Sequence, residues 1–410
     1  MSEKPPPLLD WLEARAIVLE QTPALSEELL PLAQANGRVL AKDLTAVLDL
    51  PPFDNSAADG YGVHSEDVAA AAESAPASLK YVGVIPAGSG VTISISAGQC
   101  VRLFTGAPIP PGVDAAVMQE VCEVSGESVW VRRPVHKGEN IRRSGEDVKA
   151  GDLILKAGMG LTPPRIGLLA SQGFASLPVY RAPRVALFAT GDEIVAPGAA
   201  RQSGQIFESN TATLTAALSE IGLVPTLSGR IRDTAADTKA ALAPALEAAD
   251  VLIISGGVSV GAYDLVKPVL EDLGVKRFFW QIALKPGKPL YFGVHSRGAR
   301  VFGLPGNSVS SLVCFYEFIR PALLKMMGHT DLFLPEREAV LEEAIERQPG
   351  RFEFMRGICR EDGRHCFVRS AGRQGSHIYS SFASANCFIL VPPDVTRLNE
   401  GQSVRIQLLP

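Results

Sequence analysis

VLIISGGVSVGAYDLVK, residues Val251 to Lys267, reads as strand, glycine turn and helix. Val251 to Ile254 form an unbroken apolar run with β-branched members, the pattern of a strand covered on both faces in a parallel sheet. Ser255, Gly256 and Gly257 end it. Glycine lets the chain turn sharply and lets a ligand approach its backbone, and the free N–H groups at the following helix start can receive an anion. Asp264 stands at that helix entrance. It reads equally as an ordinary helix cap or as a carboxylate that holds a hard cation, magnesium, against a bound phosphate.

Working outward, strands alternate with helices on both sides of this stretch. Upstream, RVALFATGDEI from Arg184 predicts a strand, followed by a helix through Leu214, Ala217, Leu218 and Ile221 that Gly222 stops. A short strand near Leu223 to Leu227 and a helix from about Ala235 to Ala249 follow, with a kink or break expected at Pro244. Downstream, strands around Arg277 to Ala283 and Leu290 to Val294 flank the turn KPGKP, and ARVFGLPGNS feeds a helix that Gly328 ends. Residues 183–330 thus predict a doubly wound α/β domain. Successive strand ends in such a sheet share one edge, so the turns at Thr190 to Glu193, Ser255 to Gly261, Lys285 to Lys288 and Leu304 to Ser308 line one crevice. Lys285 and Lys288 then supply positive charge, the glycine turns backbone donors, and Asp192, Glu193 and Asp264 cation ligands. Taken singly, each turn is punctuation.

The flanking segments have β periodicity. Residues 51–143 alternate apolar with small or polar positions, cut by Gly and Pro, as in a small barrel or sandwich. Residues 7–50 and 144–182 predict a discontinuous helix and strand module: an amphipathic helix through Leu8 to Leu19, a strand at Leu153 to Leu155, and a helix over Arg165 to Ser171 begun by Pro163-Pro164. Residues 331–410, with FEFMRGICR, HCFVRS, NCFILVP and SVRIQLL, predict a terminal β-barrel. PPFDNSAADGYGV, from Pro51, is either a polar loop of turn formers or a cation or polar-ligand site built on Asp54 and Asp59. NIRRSGEDV, from Asn140, is either a self-neutralising surface loop or an oxyanion clamp with Asp147 beside Arg142.

A net charge of −5 over 410 residues argues against broad nucleic-acid binding, which needs a basic face. Asp10, Glu13 and Arg15 interrupt any secretory h-region, and no segment is apolar for long enough to cross a bilayer. The six cysteines form no CxxC pair and no zinc-finger spacing, so a reduced, cytoplasmic protein is expected.

PPFDNSAADGYGV, NIRRSGEDV, SGGVSVGAYD, LKPGKP, FGLPGN and GRQGSHI occur in one order, and together they closely resemble the molybdopterin molybdotransferase family, often called MoeA. The resemblance covers nearly the whole chain. It implies an L-shaped homodimer whose α/β domain is similar to the molybdopterin adenylyltransferase fold. It further implies insertion of molybdate into the dithiolene of adenylylated molybdopterin with Mg2+-dependent loss of AMP, and exchange with molybdopterin adenylyltransferase and molybdoenzyme-maturation proteins. Carried over by position, the acidic functional residues are Asp59, Asp147, Glu193, Asp233 and Asp264, with Glu193, Asp233 and Asp264 as metal ligands. Thr105, Arg142, Lys285, Lys288, Pro305 and Ser376 match other site positions, joined by Ser255, Gly256, Gly257 and Gly306 of the glycine turns. Ala58 and Gly62 depart from the family's DNSAMDGYA, and Ser308 replaces the second proline of GLPGNP, which trades a rigid helix entry for a hydroxyl.

Two rival expectations are adenylyl transfer to molybdopterin, by the resemblance of the α/β domain, and a peptide-binding scaffold resembling the E domain of gephyrin. Asp264 separates chemistry from shape. Asp264→Asn keeps a capping oxygen, so the helix should lose about 1 kcal/mol or less. The variant is expected to bind adenylylated molybdopterin and leave it uncleaved, as followed by AMP release over a range of Mg2+ concentrations. Release at the wild-type rate would make Asp264 a helix cap only.

Overall fold

The computed structural model describes residues 8–91, 93–258 and 265–410. The chain divides into two compact units, one of Met1–Ala41, Gly158–Thr162 and Ser176–Pro410, the other of Lys42–Ala157 and Pro163–Ala175.

The first unit contains a six-stranded sheet built from β1 (Val185–Thr190), β2 (Leu227–Ile231), β3 (Val251–Ser255), β4 (Val275–Trp280), β5 (Tyr291–His295) and β6 (Arg300–Leu304), in spatial order β2-β1-β3-β6-β5-β4. The predicted strand at the centre is there, and every residue of β3 is buried. Its unbroken apolar run has a direct cause. Val251 and Ile253 face a core shared with Val185, Leu187, Phe302 and Leu304, while Leu252 and Ile254 face a second core with Ala186, Leu242 and Val301. Helices cover both faces, so neither parity can be polar.

Three local readings change. The expected strand at Leu223 to Leu227 lies later, at Leu227–Ile231, because Gly222, with φ 74°, ends the helix and the chain runs on before pairing with β1. Helix Ala235–Ala248 runs through Pro244 without a break. Pro244 and Ala240 are both exposed, so the carbonyl left unbonded by the missing N–H faces water. The sheet is not wholly parallel: β5 is antiparallel to both β4 and β6. That reversal puts the start of β5 at the edge where the other strands end, so the Lys285 to Lys288 loop still emerges there.

Helix Trp11–Glu20, with Asp10 Oδ1 accepting from the Leu12 N–H at 2.8 Å, packs Trp11, Ala14 and Val18 into the first core. The last long helix is α-helical over Ser308–Cys314 and Arg320–Met326, with a π turn at Phe315–Ile319 between them. After it, Phe352–Asp362, His365–Ser370, Glu336–Leu341, Ser403–Leu408 and Cys387–Val391 pair in that order, and the last closes on the first, forming the expected barrel. Leu284–Lys285 adds to Phe352–Asp362 as a parallel strand. In the second unit, Gly60–Val63 is a fully buried strand between Ala115–Met118 and Gln99–Leu103, although its sequence reads as the end of a polar loop. A Cβ on Gly60 would sit 1.9 Å from the Val117 carbonyl oxygen, so glycine is needed for this approach.

The π turn buries Glu317, 3.3 Å from Arg15 Nη1. Desolvation pushes its carboxyl up to about 7, against the pull of Arg15 and with Glu336 adding to the rise. Gln407 also pulls the carboxyl downward, but desolvation outweighs both, and Glu317 Oε1 is buried without a donor among the described residues. The folded state therefore binds a proton between the ordinary carboxylate range and about 7 that the unfolded chain has released, and this contribution to stability is lost as pH rises through that window. Glu317→Gln should melt progressively higher relative to wild type as pH rises from about 5 to about 7, with no further change above. A difference in melting temperature that is flat with pH would refute titration of Glu317 in that range.

Candidate functional site

The C-terminal ends of β1, β3 and β6 are level, because Ala189 pairs with Ser255 and Ser255 with Leu304. The loops that leave these three strands are therefore set side by side. The Gly256 N–H donates to the Leu304 carbonyl at 3.0 Å. Gly256 and Gly257 have φ of 91° and 66°, and a Cβ on either would press on Thr190 or Val266. Two cavities lie against the Pro305 to Ser308 loop.

The larger, of about 430 Å³, is lined by Lys285, Lys288, Pro305, Asn307, Arg351 and Ser376, among others. Four of the sequence-predicted residues thus converge on it. The Lys285 Nζ lies 3.0 Å from Oε1 of Glu353, which is 3% exposed at its side chain and also faces Arg347 Nε at 3.1 Å. Glu353 anchors Lys285, and with Lys288 and Arg351 the cavity keeps an excess of positive charge. Asn307 Nδ2 donates to Ser376 Oγ at 3.2 Å, which ties the loop after β6 to the barrel loop.

The smaller, of about 80 Å³, is lined by Glu193, Glu208, Asn210, Ser255, Gly306 and Ser308, among others. Asn210 begins the helix after β1 and donates through Nδ2 to Ser255 Oγ at 2.6 Å and to the Gly306 carbonyl at 2.8 Å. Its Oδ1 is buried without a donor among the described residues. Ser308, in place of the family's proline, shares a 2.9 Å hydrogen bond with Ser209, and the helix still starts there. Asp233 sits after β2, where its N–H meets Asp192 Oδ1 at 3.4 Å. Its carboxyl is raised above the ordinary value by burial and by the charges of Asp192 and Glu193. Asp264 lies outside the described residues.

In the second unit, Asp59 and Thr105 meet directly. Asp59 Oδ1 accepts from the Thr105 N–H at 2.8 Å and from its hydroxyl at 2.9 Å. These bonds, the N–H foremost, hold the exposed carboxyl below its ordinary value, with Arg102 adding to the effect. The other polar residues of that loop are used structurally: Asp54 binds Arg143 and the Ser144 N–H, and Ser56 Oγ donates to the Ala58 carbonyl. Arg142 and Asp147 are exposed, and no bond joins them to Asp59 or Thr105 among the described residues. Sequence reading missed Asn210, Arg351 and Glu353. Only Asn210 carried a signal, a helix-start residue in GQIFESNTAT that reads as a cap.

The chain matches three family descriptions in series: "MoeA N-terminal region (domain I and II)" over residues 9–173, "Probable molybdopterin binding domain" over residues 186–325, and "MoeA C-terminal region (domain IV)" over residues 338–409. It is 38% identical to a molybdopterin molybdenumtransferase of Haemophilus influenzae, covering 96% of this chain and 97% of that protein. It is 39% identical to molybdopterin molybdenumtransferase 2 of Mycobacterium tuberculosis, covering 96% and 98%. Among solved structures, a molybdopterin biosynthesis MoeA protein from Pyrococcus horikoshii superposes with a TM-score of 0.83 at 31% identity, over 98% of this chain and 99% of that one. Three family descriptions in series over most of the chain, with relatives at 38% and 39% identity across nearly the full length of both proteins, give the assignment: this chain belongs to the MoeA family.

Proposed function

We propose that this protein is a transferase of molybdenum cofactor biosynthesis that inserts molybdate into the dithiolene of adenylylated molybdopterin, with Mg2+-dependent release of AMP. The names of its relatives support the reaction class. The observation that carries the assignment to residues is the pair of adjoining cavities on one loop, the larger with three cationic side chains and the smaller lined by carboxylates, Asn210 and Ser255. Molybdate is a dianion, and Lys285, Lys288 and Arg351, with the Ser376 hydroxyl, supply charge and donors for it. We assign molybdate to the larger cavity and the phosphoanhydride to the smaller. Holding the two beside each other across Pro305 to Ser308 makes their encounter intramolecular.

The smaller cavity fits Mg2+ by its donor chemistry. Asn210 Oδ1 is an oxygen without a donor among the described residues, Glu193 and Glu208 line the cavity with it, and the charge of Glu193 is felt by Asp233. Among the described residues no cluster of three or more His, Cys, Asp or Glu side chains is arranged to cage a metal. Mg2+ needs no such cage, since it keeps waters and substrate phosphates with one or two carboxylates. Glu193 and Asp233, with Asp264, would hold it, and bound there it neutralises charge developing on the departing AMP. Ser255 and the backbone of Gly256, Gly257 and Gly306 orient the phosphates. Asp59, polarised by Thr105, serves as a further acidic group, with Arg142 and Asp147 as secondary contacts. We further assign a cytoplasmic homodimer, supplied by molybdopterin adenylyltransferase and delivering to molybdoenzyme-maturation proteins. No described helix is long and apolar enough to cross a membrane.

Purified protein mixed with adenylylated molybdopterin, Mg2+ and molybdate should yield AMP and metal-bound cofactor together. Failure to form either refutes the reading. Lys288→Ala should raise the KM for molybdate by about tenfold or more, the loss of one charge-assisted contact, with AMP affinity retained. An unchanged KM would remove molybdate from this cavity. Asp59→Asn keeps an acceptor for both Thr105 bonds, so its melting temperature should match wild type while turnover falls by about tenfold or more. Early unfolding or normal turnover would return Asp59 to a purely structural role.

A further inference from the structure

Arg356 is a large and almost fully buried side chain, 1% exposed, on barrel strand Phe352–Asp362. Burial lowers its pKa, opposed by the charge of Glu353, yet a guanidinium stays protonated in proteins. Among the described residues its hydrogen bonds go to no carboxylate. Nη1 donates to the Gln374 carbonyl at 3.1 Å, Nη2 to those of Arg373 and Gly375 at 3.0 and 3.1 Å, and Nε and Nη2 to Ser381 Oγ at 3.2 and 3.1 Å. The Gln374 side chain returns the contact, accepting from the Arg356 N–H at 2.9 Å and donating to its carbonyl at 3.0 Å.

Three consecutive carbonyls therefore converge on one buried cation. In a planar trans peptide the C=O of one residue and the N–H of the next point to opposite sides. Drawing the carbonyls of Arg373, Gln374 and Gly375 inward turns the N–H groups of Gln374, Gly375 and Ser376 away from Arg356. Those three N–H groups donate to no protein acceptor among the described residues, and the same three residues line the larger cavity. Successive N–H groups of this kind form an anion-binding concavity. Gly375 is confined as well, since a Cβ there would lie 2.9 Å from the His377 ring.

We propose that Arg356 is a positioning residue for the oxyanion cavity: its guanidinium gathers the carbonyls of Arg373 to Gly375 and so presents the N–H groups of Gln374, Gly375 and Ser376 to a tetrahedral dianion, molybdate. The inference rests on the reading of that cavity as the molybdate site. Only a planar, multi-donor group spans three carbonyls and a hydroxyl, so lysine keeps the charge and loses the fork.

The test uses the full chain and molybdate itself as probe. In an amide NMR titration of the wild type, the signals of Gln374, Gly375 and Ser376 should move together and saturate with the same Kd as calorimetry gives. Arg356→Lys should weaken molybdate binding by about tenfold or more and raise the KM for molybdate, with kcat at saturation and AMP affinity little changed. Ser381→Ala, which removes two of the guanidinium's contacts and keeps the cation, should give a smaller loss in the same direction and covers the case in which the Lys variant does not fold. If the three amides stay still while Lys288→Ala abolishes binding, the cavity reading stands and the role of Arg356 falls. Molybdate affinity within about twofold of wild type in a folded Arg356→Lys variant overturns it too. If Lys288→Ala leaves binding intact and the amides stay still, the cavity reading falls and the inference with it.

Discussion

Level pairing of Val251–Ser255 between Val185–Thr190 and Arg300–Leu304 is the constraint on which the α/β part of this protein depends. A strand buried on both faces and on both edges has no place for a ligand along its length. Polar function is pushed to the ends, and parallel pairing puts three equivalent ends in one row. The turn glycines, the helix-start residue Asn210 and the Pro305 to Ser308 loop are thereby brought within hydrogen-bond reach of one another. The antiparallel β5 extends this arrangement, because its reversal returns the Lys285 to Lys288 loop to the same edge.

That loop does more than connect strands. Leu284–Lys285 is also a strand of the barrel sheet, in register with Phe352 and Glu353, and the residue opposite Lys285 is the carboxylate that pairs with it. A buried carboxylate is costly unless paired, so Glu353 demands cations, and Lys285 and Arg347 answer. The anchored Lys285 is then fixed at the rim of the larger cavity. The barrel thus sets charge at the sheet's edge from the far side, through Glu353 and Arg351 on or beside one strand.

Much of this was legible in the sequence, for physical reasons. The run Val251 to Ile254 announced a doubly covered strand because both parities are apolar, and Lys285, Lys288, Pro305 and Ser376 sat in turns that a parallel sheet must gather. What was missed lacked periodicity. Strand Leu227–Ile231 lies at the sheet edge with four exposed positions, so no apolar alternation marks it. Gly60–Val63 hides among turn formers because Gly60 serves close backbone approach and Gly62 leaves room for the Leu103 and Val113 side chains. Pro244 promised a break that the exposed face of its helix tolerates. Glu353 and Arg351 are far from Lys285 in sequence, and long-range ion pairs leave no local pattern. The paired carboxylates of the Asp54 to Asp59 loop looked alike in sequence, yet one is held by Arg143 and the other by Thr105.

The two cavities also constrain each other. One gathers cations around a wall of hydrogen-bond donors, and the other gathers carboxylates with an acceptor lacking a donor. They share a single loop, so charge added to either is felt in the other. On the proposed assignment, a dianion in the first makes a cation in the second more favourable. By linkage the effect is reciprocal: whatever affinity the cation lends the oxyanion, the oxyanion returns. On that assignment the loop between them joins two sites whose occupants, brought together, offset the electrostatic cost that each site carries when alone.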